Sequence, residues 1–366
     1  MLLIIKSLND FYVYANKNDN FGINFIINVS IQTISPFNTI LKGSPKNIVV
    51  TAHTKPDADA LGSSLGLKHY LATYGHKVSV IMPSEYPAFL NWMPGNEEVM
   101  VYTKDRLGLC DQLLKKADFI FCLDFSALNR LDKMEEVVRE AKADKILIDH
   151  HLEPEDFAKY TLWSEKAAAT AELIYEFIAL MEDLDKITVA MAECLYAGIM
   201  TDTGSFRHSN TTENVHNITA NLISKGIDNA KIHQLVYDNN SLNRMRFLGY
   251  VLLEKLTPLN QYQTAYIALS EQELKKFSSK NGDTEGVVNY ALGITGIKFA
   301  CIMVEKEGII KMSFRSVENI AVNEFAKENF EGGGHRNAAG GRSKLSLEKT
   351  KEKFLALVPD FMKQYL

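Results

Sequence analysis

Cysteine is scarce in this chain of 366 residues: there are four, at positions 110, 122, 194 and 301. Their scattered spacing excludes a zinc knuckle or a disulfide framework and points to a reducing, cytoplasmic setting. Positive charge is not in excess either. Lys and Arg number 40 against 45 Asp and Glu, for a net charge of -5, and the isoelectric point is near 6.0. That balance argues against an extended basic surface for long duplex nucleic acid. It leaves room for a short phosphorylated substrate held by a few local arginines. No run approaches the roughly 18 apolar residues of a membrane-spanning helix. The opening Met1-Leu2-Leu3-Ile4-Ile5 meets Lys6 at once and is too short for a signal peptide. Residues 1–40 show no placeable pattern and are left as an unassigned N-terminal extension.

What is present is ample core material, with 46% hydrophobic and 23% charged residues, in a chain long enough for two domains. From Asn47 onward, strands and helices alternate. Ile48-Val49-Val50 is a strand, Leu61 to Tyr74 an amphipathic helix closed by Gly75, and Lys77 to Met82 a second strand. A strand near Glu98 to Tyr102 and a helix ending about Lys116 follow. Phe119 to Leu123 is a buried run, Asp132 to Ala141 a helix, and Lys145 to Ile148 the next strand. The alternation predicts an α/β fold with a doubly wound, mainly parallel sheet, which binds ligands at the carboxyl ends of its strands. Residues 41–240 form this domain. After Asp149 the text turns helical, at Ala167 to Met181, Ile187 to Met200, Glu213 to Ser224 and Asn229 to Tyr237. Ser241 to Lys255 reads as a helix within a linker over 241–258. The remainder, 259–366, reads as a smaller α/β domain. Its strands are Thr264 to Leu269, Phe299 to Val304 and Ile309 to Phe314, and its helices lie around Thr284 to Leu292, Asn319 to Asn329 and Leu347 to Leu366.

The chemistry gathers at acidic strand ends. The first strand ends in His53-Thr54-Lys55-Pro56-Asp57-Ala58-Asp59, and Pro56 keeps helix from starting before it. Asp124 closes the second buried run and Asp149-His150-His151 closes Lys145 to Ile148. Asp202 closes Ala197-Gly198-Ile199-Met200-Thr201 as a fourth acidic end. Any one Asp is better explained by a helix cap or a turn. Four together, two with histidines, are not. Five converging carboxylates repel one another unless divalent cations neutralise them. Carboxylate and imidazole ligands suit manganese, with magnesium, cobalt or zinc as competitors. Two ions about 3.5–4 Å apart are a common solution for in-line displacement at phosphorus, with a water between them as the nucleophile.

A second cluster is Gly332-Gly333-Gly334-His335-Arg336-Asn337-Ala338-Ala339-Gly340-Gly341. Its glycines let backbone N–H groups approach an anion, and His335 and Arg336 add donors. A bare glycine triplet is better explained by a turn before a helix; the following Ala-Ala-Gly-Gly favours close packing around a ligand. Arg315, ending a strand, is an equal choice between a phosphate clamp and a surface residue. Arg207 and His208, just past Asp202, are as well explained by a solvated loop. Asp283 and Glu285 read as a helix N-terminal acidic pair, and Trp92 as a packing anchor.

In order and spacing, His-x-x-x-Asp-x-Asp, Asp124, Asp149-His150-His151 and Asp202 resemble the DHH phosphoesterase superfamily. Gly332 to Gly341 resembles the signature of its DHH-associated C-terminal domain. The resemblance covers roughly residues 45–345. Length and Thr284 to Tyr290 make it most similar to the NrnA-type subfamily, which joins oligoribonuclease (nanoRNase) and 3′-phosphoadenosine 5′-phosphate phosphatase activities. It implies that His53, Asp57 and Asp124 hold one ion and that Asp59, Asp124, His150 and Asp202 hold the other, with Asp124 bridging. It further implies that Asp149 orients the site and that His151 contacts the scissile phosphate. Arg315, Gly333, Gly334 and His335 would grip the far phosphate or nucleotide from the second domain, with Arg336 and Arg207 as further candidates. The expected partners are short RNA oligonucleotides or phosphorylated nucleotides, not long duplexes or membranes, and a homodimer stays open. Rival readings are a cyclic dinucleotide phosphodiesterase, a RecJ-like exonuclease, a family II pyrophosphatase and, from another class, a non-catalytic RNA-binding protein. Competent residues at every ligand position disfavour the last.

Overall fold

The computed structural model describes residues 40–238, 240–280 and 282–366, together with Phe37 and the backbone of three short N-terminal strands. These are β1 (Leu3–Lys6), β2 (Tyr12–Ala15) and β3 (Asn24–Ile27), paired in that order. The rest of the unassigned first 40 residues, save Phe37 and Ile40, lies outside the described residues. The chain divides into two compact units, Met1–Asn239 and Asn240–Leu366.

The first unit is built on β4 (Asn47–Ala52), β5 (Lys77–Met82), β6 (Met100–Val101), β7 (Phe119–Leu123), β8 (Asp144–Asp149) and β9 (Tyr160–Trp163). Their order is β6-β5-β4-β7-β8-β9 and every pairing is parallel. The expected doubly wound sheet is therefore present. Its strands are apolar on both faces because both are covered. Val50, Phe121 and Ile148 pack into one core with α1 (Ala58–Ala72), α4 (Thr170–Leu180) and α5 (Val189–Asp202). Val49, Ile120 and Leu147 pack into another with α2 (Leu107–Lys116) and α3 (Glu135–Glu140). Helices α6 (Glu213–Ser224) and α7 (Asn229–Tyr237) complete the unit. The strand order reverses between β4 and β7, and that switch point is where such sheets open a crevice.

Each ligand-bearing helix has a local reason to start where it does. Asp57 caps α1, its side chain accepting from the Asp59 and Ala60 amides. Thr188 caps α5 through the Met191 amide. Helices α1 and α5 meet where neither has a side chain. A Cβ on Gly62 would collide with the Cys194 carbonyl oxygen, and one on Gly198 would lie 2.7 Å from Asp59 Oδ1.

The second unit holds β10 (Leu256–Leu259), β11 (Thr264–Leu269), β12 (Phe299–Lys306), β13 (Ile309–Ser316), β14 (Gly333–His335) and β15 (Ala338–Ser343). Their order is β10-β11-β12-β13-β15-β14, with only β11 and β12 parallel. One face buries Phe299, Cys301 and Phe314 against α11 (Val322–Asn329) and α12 (Leu347–Lys363). The other buries Ile267 and Ile302 against α8 (Leu242–Tyr250) and α10 (Val287–Leu292), while α9 (Glu271–Lys276) follows β11. All four cysteines are buried and unpaired. Among the described residues no helix is long and apolar enough to cross a membrane.

Several expectations need correction. Asp202 does not end a strand; it is the last residue of α5. The run before it belongs to the helix read over Ile187 to Met200, which continues two residues further. The helix expected over Asp132 to Ala141 is a 3-10 stretch, Leu128–Met134, followed by the six-residue α3. The helix expected through Lys255 ends as α at Tyr250 and continues as a π turn, Val251–Lys255. The glycine cluster forms a β-hairpin, β14 and β15, not a turn before a helix.

Candidate active site

Three of the acidic ends converge on the carboxyl edge of β4, β7 and β8, and α1 and α5 bring the remaining ligands to them. His53 Nε2 lies 3.8 Å from Asp57 Oδ2 and 3.4 Å from Asp124 Oδ2. His150 Nε2 lies 3.5 Å from Asp124 Oδ1, 3.5 Å from Asp202 Oδ2 and 4.0 Å from Asp59 Oδ2. Asp124 is the common member: one carboxylate oxygen faces the His53 and Asp57 pair, the other the His150, Asp59 and Asp202 group. Its backbone is left-handed, with φ +64°. That conformation is costly for most residues and least so for Asn, Asp and Gly. The sharp exit from β7 turns Asp124 back over the strand ends, and its amide donates to the Ile148 carbonyl.

The imidazoles are aimed by their other nitrogens. His53 Nδ1 pairs with the Thr54 carbonyl at 2.8 Å, and His150 Nδ1 with the Ala167 carbonyl at 3.2 Å. Both pairings direct Nε2 toward the carboxylates, the orientation a metal-binding histidine uses. His151 is held differently. Its Nδ1 is 2.8 Å from Asp149 Oδ1, and Asp149 is fully buried. The adjacent histidines therefore point to different work, His150 among the carboxylates and His151 braced by one.

Charge in this centre is out of balance. Burial, then the neighbouring Asp124 charge, raises Asp59 well above the usual carboxylate range. Burial, with Asp59 and Asp57 nearby, does the same to Asp202. Burial would also raise Asp124, but hydrogen bonds from His150 and His53 hold it well below that range. Burial opposes charge on His53, yet the Asp124 hydrogen bond and the charges of Asp57 and Asp124 outweigh it and raise the imidazole to about 9. His150 is raised by the same contest with Asp124, Asp202 and Asp59. Asp149 Oδ2 adds a buried oxygen without a hydrogen-bond partner among the described residues. The donor atoms of His53, Asp57 and Asp124 lie within 4.8 Å of one another, as do those of Asp59, Asp124 and His150. Nitrogen and oxygen donors without thiolate fit hard or borderline divalent ions, and two groups sharing Asp124 fit two of them.

Arg207 follows a left-handed turn at Gly204, Ser205 and Phe206, with φ of +57°, +61° and +62°. Its Nε donates to the Gly204 carbonyl, and its side chain is exposed. Arg207 and Asp202 both act electrostatically on the Tyr237 hydroxyl, so the arginine shares a neighbourhood with one end of the centre.

In the second unit, strand register sorts the glycine cluster. Arg315, Ala338 and His335 form one row across β13, β15 and β14; Ser313, Gly340 and Gly333 form the next. Burial alternates along β13, with Met312 and Phe314 inside and Ser313 and Arg315 on the open side. The glycines have two different explanations. Gly334 has φ +140° and a Cβ there would sit 2.6 Å from the Ala338 carbonyl oxygen; one on Gly332 would strike the Gly340 carbonyl. At Gly333 a Cβ would meet nothing, and at Gly340 only an ordinary contact of 3.8 Å. Those two are not required by the fold, and together they leave a bare floor beside Arg315 and His335. We expect Gly333→Ala and Gly340→Ala to melt at or slightly above the wild-type temperature, because alanine suits a strand better by about 0.5–1 kcal/mol. We expect Gly334→Ala to be destabilised by about 1–3 kcal/mol. Thermal melts with KM on a dinucleotide check this: the first two should raise KM roughly tenfold, the effect of about 1.4 kcal/mol of lost contact. Unchanged KM would show that no substrate rests on the floor.

One contributor escaped the sequence reading. The segment Ala167-Ala168-Ala169-Thr170-Ala171 touches several ligands: besides Ala167 with His150, the amides of Thr170 and Ala171 donate to Asp59 at 2.6 and 2.8 Å. Its alanine-rich text reads as the start of a helix and carries no chemical mark.

Residues 47–199 match the model of the DHH family N-terminal domain, and residues 260–364 match the DHHA1 domain. The bifunctional oligoribonuclease and PAP phosphatase NrnA of Bacillus subtilis is 26% identical over 85% of this chain and 91% of its own length. The protein of the same name from Thermus thermophilus is 28% identical over 87% and 91%. The crystal structure of an exopolyphosphatase-related protein from Bacteroides fragilis superposes with a TM-score of 0.88 at 38% identity, covering 92% of this chain and 98% of that one.

Proposed function

Because the chain belongs to the DHH superfamily of metal-dependent phosphoesterases, with a DHHA1 domain after its DHH domain, we propose that it hydrolyses short oligoribonucleotides to mononucleotides and 3′-phosphoadenosine 5′-phosphate to AMP. The observation that carries the reading is Asp124, whose two oxygens face separate ligand groups. His53 and Asp57 would share one ion with it, preferably manganese; Asp59, His150 and Asp202 would share the other. When bound, two such ions polarise phosphoryl oxygens and make water acidic enough to act near neutral pH.

The chain's own residues do the rest. His151, its Nδ1 braced on Asp149, directs Nε2 at the scissile phosphate or its leaving oxygen, where a donor is most effective as charge develops. Arg315 and His335, beside the glycine floor, bind the phosphate or nucleotide that is not cleaved, with Arg336 and Arg207 as further contacts. Recognition by a few residues rather than a basic track suits a chain of net charge -5 and a substrate of few phosphates. The two relatives' names, oligoribonuclease and PAP phosphatase, support the same substrate class. A cytoplasmic setting agrees with four unpaired cysteines.

A cyclic dinucleotide is the competing substrate for the same centre. One panel decides between them: diribonucleotide, longer RNA, 3′-phosphoadenosine 5′-phosphate, cyclic di-AMP and pyrophosphate, each with manganese and with chelator. Manganese-dependent turnover is expected to be fastest on the diribonucleotide. A preference for cyclic di-AMP would overturn the substrate, and inertness toward the whole panel would overturn the proposed activity.

A further inference from the structure

The hydroxyl of Thr170 is fully buried, and it is the first residue of α4, where a threonine side chain commonly serves its own helix. Here it does not. Thr170 Oγ1 donates to Asp124 Oδ1 at 3.0 Å, its partner among the described residues. The same residue's amide donates to Asp59 Oδ2 at 2.6 Å. One side chain and its own N–H thus reach the carboxylate common to both ligand groups and a carboxylate belonging to one of them.

The segment carrying Thr170 is itself pinned. The Ala168 amide donates to Glu172 Oε2 at 2.6 Å. Asn210 Nδ2 donates to the Ala168 carbonyl and to the Asp202 carbonyl, each at 3.3 Å. Ala167 supplies the carbonyl that aims His150. Small side chains at 167, 168, 169 and 171 allow this backbone to lie close against the carboxylates.

A carboxylate's terminal torsion is broad, so the plane of an aspartate facing two ligand groups is not fixed by its own rotamer preference. A donor held on one oxygen fixes that plane. We infer that Thr170 is a positioning residue for Asp124: its hydroxyl fixes the carboxylate so that one oxygen is offered to each ligand group, and thereby sets the affinity of the two-ion centre. This rests on the two-ion reading above but not on any substrate. Partners of this kind are typically worth about 10–100-fold in metal affinity.

The test compares Thr170→Ser with Thr170→Ala, which differ by the hydroxyl alone, in the full-length chain with manganese titrated by calorimetry. The electron paramagnetic resonance spectrum reports whether the two ions are coupled. Melting in chelator reports folding without metal. Thr170→Ser should bind two coupled ions like wild type; Thr170→Ala should lose about 10–100-fold in affinity for at least one of them, with weaker coupling while still melting cooperatively in chelator. Equal binding by the two variants would overturn the inference. If the alanine variant does not fold, Thr170→Val, which keeps the volume, is read in its place; failure of both to fold in chelator while serine folds would assign the hydroxyl to folding instead. Absence of nucleotide hydrolysis would leave this inference standing, since the readout is metal rather than turnover.

Discussion

Asp124→Ala is expected to lose both divalent ions together and at least about 10³-fold in turnover, the scale of several kcal/mol of metal-centred stabilisation. The expectation follows from position rather than from charge alone. Asp57 or Asp59 faces a single ligand group, so its removal should weaken one ion more than the other. Asp124 faces both through different oxygens. The left-handed backbone at 124 also decides how the experiment is built. Alanine there adds backbone strain of about 1–3 kcal/mol, whereas asparagine tolerates the conformation and removes only the negative charge. Asp124→Asn should therefore fold like wild type in chelator and still fail to assemble the pair. Elemental analysis after manganese loading and desalting gives the answer. Two ions retained per chain in either variant would refute the bridging role.

The second large effect is a separation between neighbours. His151→Ala should keep both ions and lose roughly 10²–10⁴ in kcat, the usual worth of a positioned acid or base. His150→Ala should lose an ion. The structural ground is that His150 turns Nε2 into three carboxylates, whereas His151 spends Nδ1 on the buried Asp149. Manganese titration alongside single-turnover hydrolysis of a dinucleotide measures both quantities. Loss of an ion from His151→Ala would move that residue into the ligand set, and an undiminished kcat would remove it from the chemistry.

Much of the first unit was legible because its chemistry follows strands that announce themselves. Phe119 to Leu123 and Lys145 to Ile148 are short continuous apolar runs, and a carboxylate directly after such a run has few structural excuses. Asp202 was found for the right chemical reason but counted among the strand ends, although the run before it lies on the helix read over Ile187 to Met200. β9 went unseen because Tyr160–Trp163 is short and lacks alternation. The β14–β15 hairpin went unseen because glycine weakens every strand signal, although Gly334, and Gly332 just before the hairpin, are required by close backbone contact. Thr170 was illegible in principle. Its role depends on a contact with Asp124 across 46 residues of sequence, and nothing in Ala-Ala-Ala-Thr-Ala records it.

The crossing of α1 and α5 bears on how far apart two of the carboxylates stand. Asp59 rides on one helix and Asp202 ends the other, so their separation follows the distance between helix axes. A methyl group on Gly198 would stand 2.7 Å from Asp59 Oδ1, against 3.4 Å or more for an ordinary contact. Relieving that overlap would displace the Asp59 carboxylate, which the Thr170 and Ala171 amides hold in place, or part the two helices. The spacing of two candidate ligands is thus gauged by a single hydrogen atom, the one Gly198 presents to Asp59 where any other residue would present a carbon.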